Sequence, residues 1–278
     1  MKSCILFSIS IESEEKLYVL QEYLQTFKTY FSDCRFYIGI NYGSHPSIEN
    51  IISSYNLNTK IERVVDKNFH VSSDASGYQK CIQMLKNDTE QYDICWFAHT
   101  KGGFNGRDEQ RNLYLENFFP RRIQIENIFD KFPSLGVVGY RCGGYMWHNH
   151  QNNKCLQNQE RFIRDIWGEE STELFKYTFC ELIIIETMFA MNAEILYKFL
   201  EKYPEFLYNP LNTIPTAQWI IELELANIVP TRMGYFPLVL SKENWMNGGS
   251  LKNEIDSWID NWIKKNNLHD LNHYKELL

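Results

Sequence analysis

"DICWFAHTKGG", residues 93–103, runs from a short apolar stretch straight into a histidine, a threonine, a lysine and a pair of glycines. The apolar letters Ile94 to Ala98 are too few for a helix and dense enough for a strand covered on both faces. The stretch "DICWFA" (93–98) therefore predicts a strand that leaves the sheet at Ala98. Along extended chain, His99 and Lys101 fall on the same side. Gly102 and Gly103 let another molecule come close to the backbone. A lysine and an imidazole beside bare backbone N–H groups suit an anion, most plainly a phosphate or diphosphate.

Upstream, the chain alternates. Residues 3–10 (SCILFSIS) predict a strand, and 13–31 carry Leu17, Leu20, Leu24, Phe27 and Phe31 along one helical face. "RFYIGI" (35–40) predicts the second strand, and "PSIENIISSY" (46–55) a helix opened by proline. "KIERVVD" (60–66) predicts the third strand, and 75–87 a helix with Tyr78, Cys81, Ile82 and Leu85 on one face. Strand and helix in units of about 30 residues predict an α/β fold with a mostly parallel central sheet flanked by helices. Ligands of such sheets bind beyond the carboxyl ends of the strands. The tails to watch are Ser8 to Ser10, Asn41 to Gly43, Asp66 to Asn68 and His99 to Gly103.

After residue 104 the rhythm changes. Residues 108–132 read as helical, punctuated by Pro120, and "LGVVGY" (135–140) as a short strand. Residues 141–172, rich in Asn, Gln, Gly and His, read as a long polar loop. "ELIIIETMFAM" (181–191) predicts a strand, 192–203 and 215–228 helices, and "GYFPLVL" (234–240) a late strand. Residues 251–263 place Leu251, Ile255, Trp258, Ile259, Trp262 and Ile263 on one face, after a break at Gly248-Gly249-Ser250. No internal repeat or low-complexity linker divides the chain. The expectation is one domain over 1–278: a donor half (1–104), an acceptor half (105–245) and a C-terminal amphipathic helical extension (246–278).

The totals exclude several classes. The 278 residues carry a net charge of −7 and no long basic run, which argues against sequence-independent nucleic-acid binding. No apolar stretch approaches the roughly 20 residues of a membrane span. "MKSCILFSIS" lacks a small-residue cleavage site and reads better as a strand than as a signal peptide. Seven cysteines stand at 4, 34, 81, 95, 142, 155 and 180, without a C-x-x-C pair, several inside apolar runs. They read as buried free thiols of a reducing compartment, so a cytoplasmic location is expected, with peripheral membrane association left open. Aromatics make up 15% of the chain, a surplus that serves either sugar and base sites or ordinary core.

There is no G-x-x-x-x-G-K-[ST] and no G-x-G-x-x-G, so neither a P-loop nor a dinucleotide fingerprint is present. The order β-α-β-α-β-α-β, with "VVDKN", "ASGYQKCIQML" and "YDICWFAHTKGG", resembles glycosyltransferases of the GT-A fold over roughly residues 1–240. In that family the corresponding strand usually ends in D-x-D, which holds a divalent metal on the nucleotide-sugar diphosphate. Here the same place reads His99-Thr100-Lys101, similar to the HTK variant of rhamnan-synthesis and related polysaccharide glycosyltransferases. The resemblance implies a GT-A-like (Rossmann-like) sheet, a nucleotide-sugar donor, and a glycan or lipid-linked acceptor. With a fixed cation where a metal would sit, no cofactor is expected, and a divalent metal is the disfavoured alternative. The donor-binding candidates are Ser8, Ser10, Asp66, Asn68, Gly77, Tyr78, His99, Thr100, Lys101 and Gly102. For Asp66 and Asn68 a plain turn is the competing reading. For Tyr78 it is helix packing.

The second half must bind the acceptor and supply a base. Glu186 interrupts the apolar run "IIIETMFAM", where an unpaired carboxylate would be costly to bury. Glu222, in "AQWIIELELA", is the other candidate. The E-D pair often found in the resembling family is missing. His148, His150 and Cys155 could imitate a metal site, but three ligands without a fixed second element make a mobile loop the better reading. Two other functions compete with sugar transfer. One is a non-catalytic nucleotide- or carbohydrate-binding protein on the same scaffold, and the other a nucleotidyltransferase, which should need clustered carboxylates for magnesium. A homo-oligomer is compatible with the aromatic last helix.

Overall fold

The computed structural model describes residues 1–67, 75–100, 108–131, 135–142, 161, 164–165, 183–208 and 234–238. The first half contains β1 (Ser3–Ile9), α1 (Leu17–Tyr30), β2 (Arg35–Ile40), α2 (Ile48–Ser54), β3 (Asn58–Arg63), α3 (Ala75–Lys86) and β4 (Ile94–His99). Then come α4 (Asp108–Leu113), a π-turn (Tyr114–Phe118), a 3-10 turn (Phe119–Arg121) carrying Pro120, and α5 (Arg122–Lys131). β5 (Leu135–Cys142), β6 (Ile183–Asn192), α6 (Ala193–Lys202), α7 (Glu205–Tyr208) and β7 (Gly234–Leu238) complete the described elements.

The seven strands form one mixed sheet in the order β3-β2-β1-β4-β6-β5-β7. β1 pairs in parallel with both β2 and β4, β2 with β3, and β5 with β7. β6 runs antiparallel to β4 and to β5. This is an α/β, Rossmann-like architecture with a mostly parallel sheet. The chain travels outward from β1 to β3, then returns across the sheet to β4 on the far side of β1. Right-handed crossovers require the returning helix to lie on the opposite face from α1 and α2.

Side-chain alternation builds the two layers that this predicts. Ile5, Phe7 and Ile9 of β1, with Ile94, Trp96 and Ala98 of β4, face α1, α2 and α5. Cys4 and Leu6, with Cys95 and Phe97, face α3, α6 and α7. Every residue of β1 and β4 is buried, as the unbroken apolar run of a two-sided strand requires. α1 buries Val19, Leu20, Tyr23, Leu24 and Phe27, a stripe broader than the one expected from leucine and phenylalanine spacing alone.

Much of the aromatic surplus is core. Phe27 meets Phe7 at 5.1 Å and Phe119 at 5.3 Å, both edge-on, and Phe31 meets Trp96 at 5.1 Å. Each such pair contributes about 0.5–1.5 kcal/mol beyond its buried area. Cys4, Cys34, Cys81 and Cys95 are free and buried, and burial pushes the Cys34 thiol up to about 12.

Three boundaries differ from the sequence reading. β3 begins at Asn58 and ends at Arg63, so the "VVD" stretch has left the sheet. Its partner β2 ends at Ile40, opposite Arg63, and the Val64 N–H makes the last bond, to the Ile40 carbonyl. β4 runs on through His99, which pairs with Ser8, so the strand does not leave the sheet at Ala98. Helix 108–132 is broken by the π-turn and the 3-10 turn before α5. Most of the loop 141–172, the helices at 215–228 and 251–263, and the C-terminal extension with Trp258 and Trp262 lie outside the described residues. Among the described residues no helix is long and apolar enough to cross a membrane.

Candidate functional site

β1 is flanked by β2 on one side and β4 on the other: the chain steps outward from β1 through β2 to β3, then crosses back to β4, so the strand order reverses at β1. That is a topological switch point, and the crevice of an open α/β sheet lies beyond it. The residues that end these strands stand in one row: Gly39 pairs with Ser8, and Ser8 with His99. By alternation all three belong to the α3 face of the sheet. Ser8 is fully buried and His99 is 4% exposed.

Asn41 locks this row to α3. Its side-chain nitrogen donates to Ser8 Oγ at 3.0 Å and to the Ile9 carbonyl at 3.0 Å. Its side-chain oxygen accepts the Gly77 N–H at 2.8 Å. Gly77 is the third residue of α3, so its N–H is one of the four that a helix leaves without an internal partner. Asn41 thus caps α3 from a neighbouring strand while fixing the serine beneath it. The approach is close enough to demand glycine twice. A Cβ on Gly39 would land on the Gly77 carbonyl, and one on Gly77 would strike Ser8 Oγ.

The tails stay tied beyond the strands. The Thr100 N–H donates to the Ser8 carbonyl at 3.1 Å, and Thr100 Oγ1 accepts the Ser10 N–H at 2.9 Å. These bonds fix the point and direction from which the chain departs toward residue 101. On the β2 side, the Arg63 guanidinium holds the following loop. It donates to the Ser44 carbonyl at 2.7 Å, to the His45 carbonyl at 3.1 Å and to both carboxylate oxygens of Glu49, at 2.7 and 2.6 Å. The Arg63 hydrogen bonds hold the Glu49 carboxyl below its ordinary range. A preorganised wall of this kind costs nothing to arrange when a ligand arrives.

The candidates fall into different positions. Ser8 and Gly77 lie in the floor beneath the crevice, and Ser10, half-buried, stands at its edge with Thr100. Tyr78 is buried in the core layer with its ring 5.6 Å from that of Phe97. Asp66 is exposed, three residues past the end of β3. Glu186 lies on β6. The last pair of β6 with β4 is Phe97–Phe189, and position 186 lies beyond it, in the stretch between Ile184 and Phe189 where the pairing with β5 shifts register. Asn68, Lys101, Gly102 and Glu222 lie outside the described residues, as do His148, His150 and Cys155.

Asn41, Gly39 and Arg63 are the residues that sequence reasoning passes over. Asn41 stood in a tail marked for attention, but a single Asn before Tyr-Gly reads as a turn residue. Among the described residues no three His, Cys, Asp or Glu side chains gather as a metal site. A hollow of about 820 Å³ lies at the other end of the strands, between Tyr92, Asp93, Phe129, Asn192 and Tyr197. It is remote from the strand tails.

Comparison with known proteins adds little. No family model matches the chain, and no curated protein matches it in sequence. Among solved structures, a CMP:2-keto-3-deoxy-manno-octonic acid synthetase complexed with CTP aligns at TM-score 0.37 and 7% identity, covering 94% of this chain and 99% of that one. The mannosyltransferase Ktr4p from S. cerevisiae in complex with GDP aligns at TM-score 0.35 and 8% identity, covering 84% and 69%. Core-mannan synthase A from Aspergillus fumigatus, in its Mn/GDP form, aligns at TM-score 0.33 and 9% identity, covering 89% and 79%.

Proposed function

We propose that the chain is a glycosyltransferase that moves a sugar from a nucleotide-sugar donor to a glycan or lipid-linked acceptor. The observation that supports this reading is the set of polar strand tails at the switch point. There Ser8, Ser10, Asn41, His99 and Thr100 converge on the end of β4, held by the Asn41 and Thr100 hydrogen bonds. The chain leaves this anchored point straight into Lys101-Gly102-Gly103.

In this reading the donor diphosphate lies over the tails of β1 and β4. Lys101 supplies the positive charge that offsets the charge growing on the leaving nucleoside diphosphate. Gly102 lets the diphosphate approach the backbone, and Asp66 and Asn68 reach the base or ribose. A carboxylate takes the proton of the acceptor hydroxyl as its oxygen bonds to the anomeric carbon and the bond to the diphosphate breaks. Glu186 is the preferred base, since it lies on β6 beyond the Phe97–Phe189 pair, toward the end of the sheet where β4 finishes, and Glu222 is the second candidate. Transfer proceeds without a bound metal, the lysine standing where the resembling family usually has a carboxylate-held ion.

The test is a thermal-shift screen of nucleoside diphosphate and monophosphate sugars, followed by nucleotide release in the presence of glycan acceptors. The expected result is one donor that both raises Tm and is turned over. Stabilisation without release in the presence of any acceptor supports the competing reading, a nucleotide- or carbohydrate-binding protein. No stabilisation by any donor contradicts both.

A further inference from the structure

Among the described residues β3 ends the sheet, with β2 as its partner on one side, so its outer row of N–H and C=O groups faces away from the sheet. Natural edge strands are usually protected by proline, by a bulge or by outward charge. Along Asn58–Arg63 there is no proline, and the six pairs to β2 run without a register shift. The charges are drawn back onto the chain itself. Lys60 Nζ reaches the Asp88 carboxylate at 2.5 Å and lies over the Tyr37 ring at 5.9 Å. Glu62 faces Lys80 at 3.6 Å, and Arg63 grips Glu49 at 2.6 Å. The edge is straight, and Lys60 and Glu62 stay 38% and 48% exposed beside these partners, so both charges are also open to a facing strand.

We propose that β3 pairs with β3 of a second copy of this chain, antiparallel about a two-fold axis at Ile61, joining the two sheets into one. Symmetry and charge select this register. In a two-fold pair, residue i faces j and j faces i, and opposed residues share a face of the sheet. An axis at Lys60 sets two lysines against each other, and an axis at Glu62 sets two glutamates. An axis at Ile61 sets Lys60 against Glu62 twice and Ile61 against its own copy. Opposite charges and branched apolar pairs directly across strands stabilise, whereas like charges destabilise. Ile61 packs on the α2 side of the sheet, and Lys60 and Glu62 lie on the α3 side, so the two kinds of contact do not compete.

The test uses the full chain in analytical ultracentrifugation from about 1 to about 100 µM, the upper range of interface affinities. A reversible dimer is expected. Glu62→Lys, which sets lysine against Lys60, should raise its Kd at least about tenfold while the circular dichroism spectrum stays unchanged. Ile61→Cys should give a covalent dimer with glutathione disulfide, two thiols becoming one interchain disulfide with release of two glutathiones, while the wild type does not. A monomer throughout the range overturns the proposal. So does a dimer that neither weakens in Glu62→Lys nor cross-links in Ile61→Cys.

Discussion

Gly39 of β2 and Gly77 of α3 meet with no space for a side chain between them. A Cβ on Gly39 would coincide with the Gly77 carbonyl, and one on Gly77 would come within 2.8 Å of both the Asn41 side-chain nitrogen and the Gly39 carbonyl. For Gly39 the obstacles are backbone atoms, which cannot swing aside; for Gly77 they are Ser8 Oγ at 2.2 Å, the Asn41 side chain that is bonded to it, and the Gly39 carbonyl. Gly39→Ala and Gly77→Ala should therefore each cost about 3 kcal/mol or more, the upper end of overpacking. Urea unfolding of the two variants checks this, and a loss below 1 kcal/mol in both, by the same scale, would place α3 farther from the sheet.

Asn41 should be the most sensitive polar residue of the fold. Asn41→Ala strands the buried Gly77 N–H and removes two donated bonds, a loss of about 3 kcal/mol. Asn41→Asp keeps the acceptor for Gly77 but puts a carboxylate in a fully buried place, where burial favours the neutral acid. The folded-state pKa of that aspartate is then raised above its unfolded value, so the variant gains stability as pH falls from 7 toward 5. Denaturant midpoints across that range should show the trend, with the wild type nearly flat by comparison.

The Asp88 carboxyl is held well below the usual carboxylate range, first by the Lys60 ammonium and then by the Tyr37 hydroxyl, which donates at 2.8 Å. A depressed carboxylate stabilises the fold above its unfolded pKa of about 3.9, and that contribution is lost as pH falls through the lower folded value. Asp88→Asn should cost about 2 kcal/mol at pH 6. The gap to the wild type should shrink steadily below about pH 4. A gap that is independent of pH from 6 to about 2 would contradict the ion pair.

Up to His99 the order of elements follows from periodicity, because each helix has one apolar stripe and β1, β2 and β4 are apolar on both faces. The direction of β6 does not. Residues Ile183–Asn192 read the same whether their partners run parallel or antiparallel, and only the pairing with β4 and β5 decides. The end of β3 is hidden for a similar reason: Val64 and Val65 favour strand, but β2 offers no partner beyond Ile40. The site is legible as strand tails, since the switch point follows from element order. Its keystone is not, because Asn41 acquires its role only once Ser8 and Gly77 are brought beside it from positions 33 residues before and 36 residues after it.

Glu186 provides a test of the base. If it removes the acceptor proton, Glu186→Gln should lower kcat by about 10²–10⁴ and leave donor KM within a factor of about three. Cleavage of the donor by azide, giving a glycosyl azide and the free nucleotide, should be spared, since azide carries no proton to remove. An unchanged kcat would move the role to Glu222.

In the proposed mechanism Lys101, which follows Thr100 in the sequence, receives the diphosphate. Its most direct test is donor turnover by Lys101→Ala, measured beside the wild type in the presence of EDTA. Wild-type turnover should persist with the metal chelated, and kcat should fall by about 10²–10³ in the variant while its melting temperature is preserved. Full turnover by Lys101→Ala, or wild-type activity abolished by EDTA and restored by manganese, would contradict it.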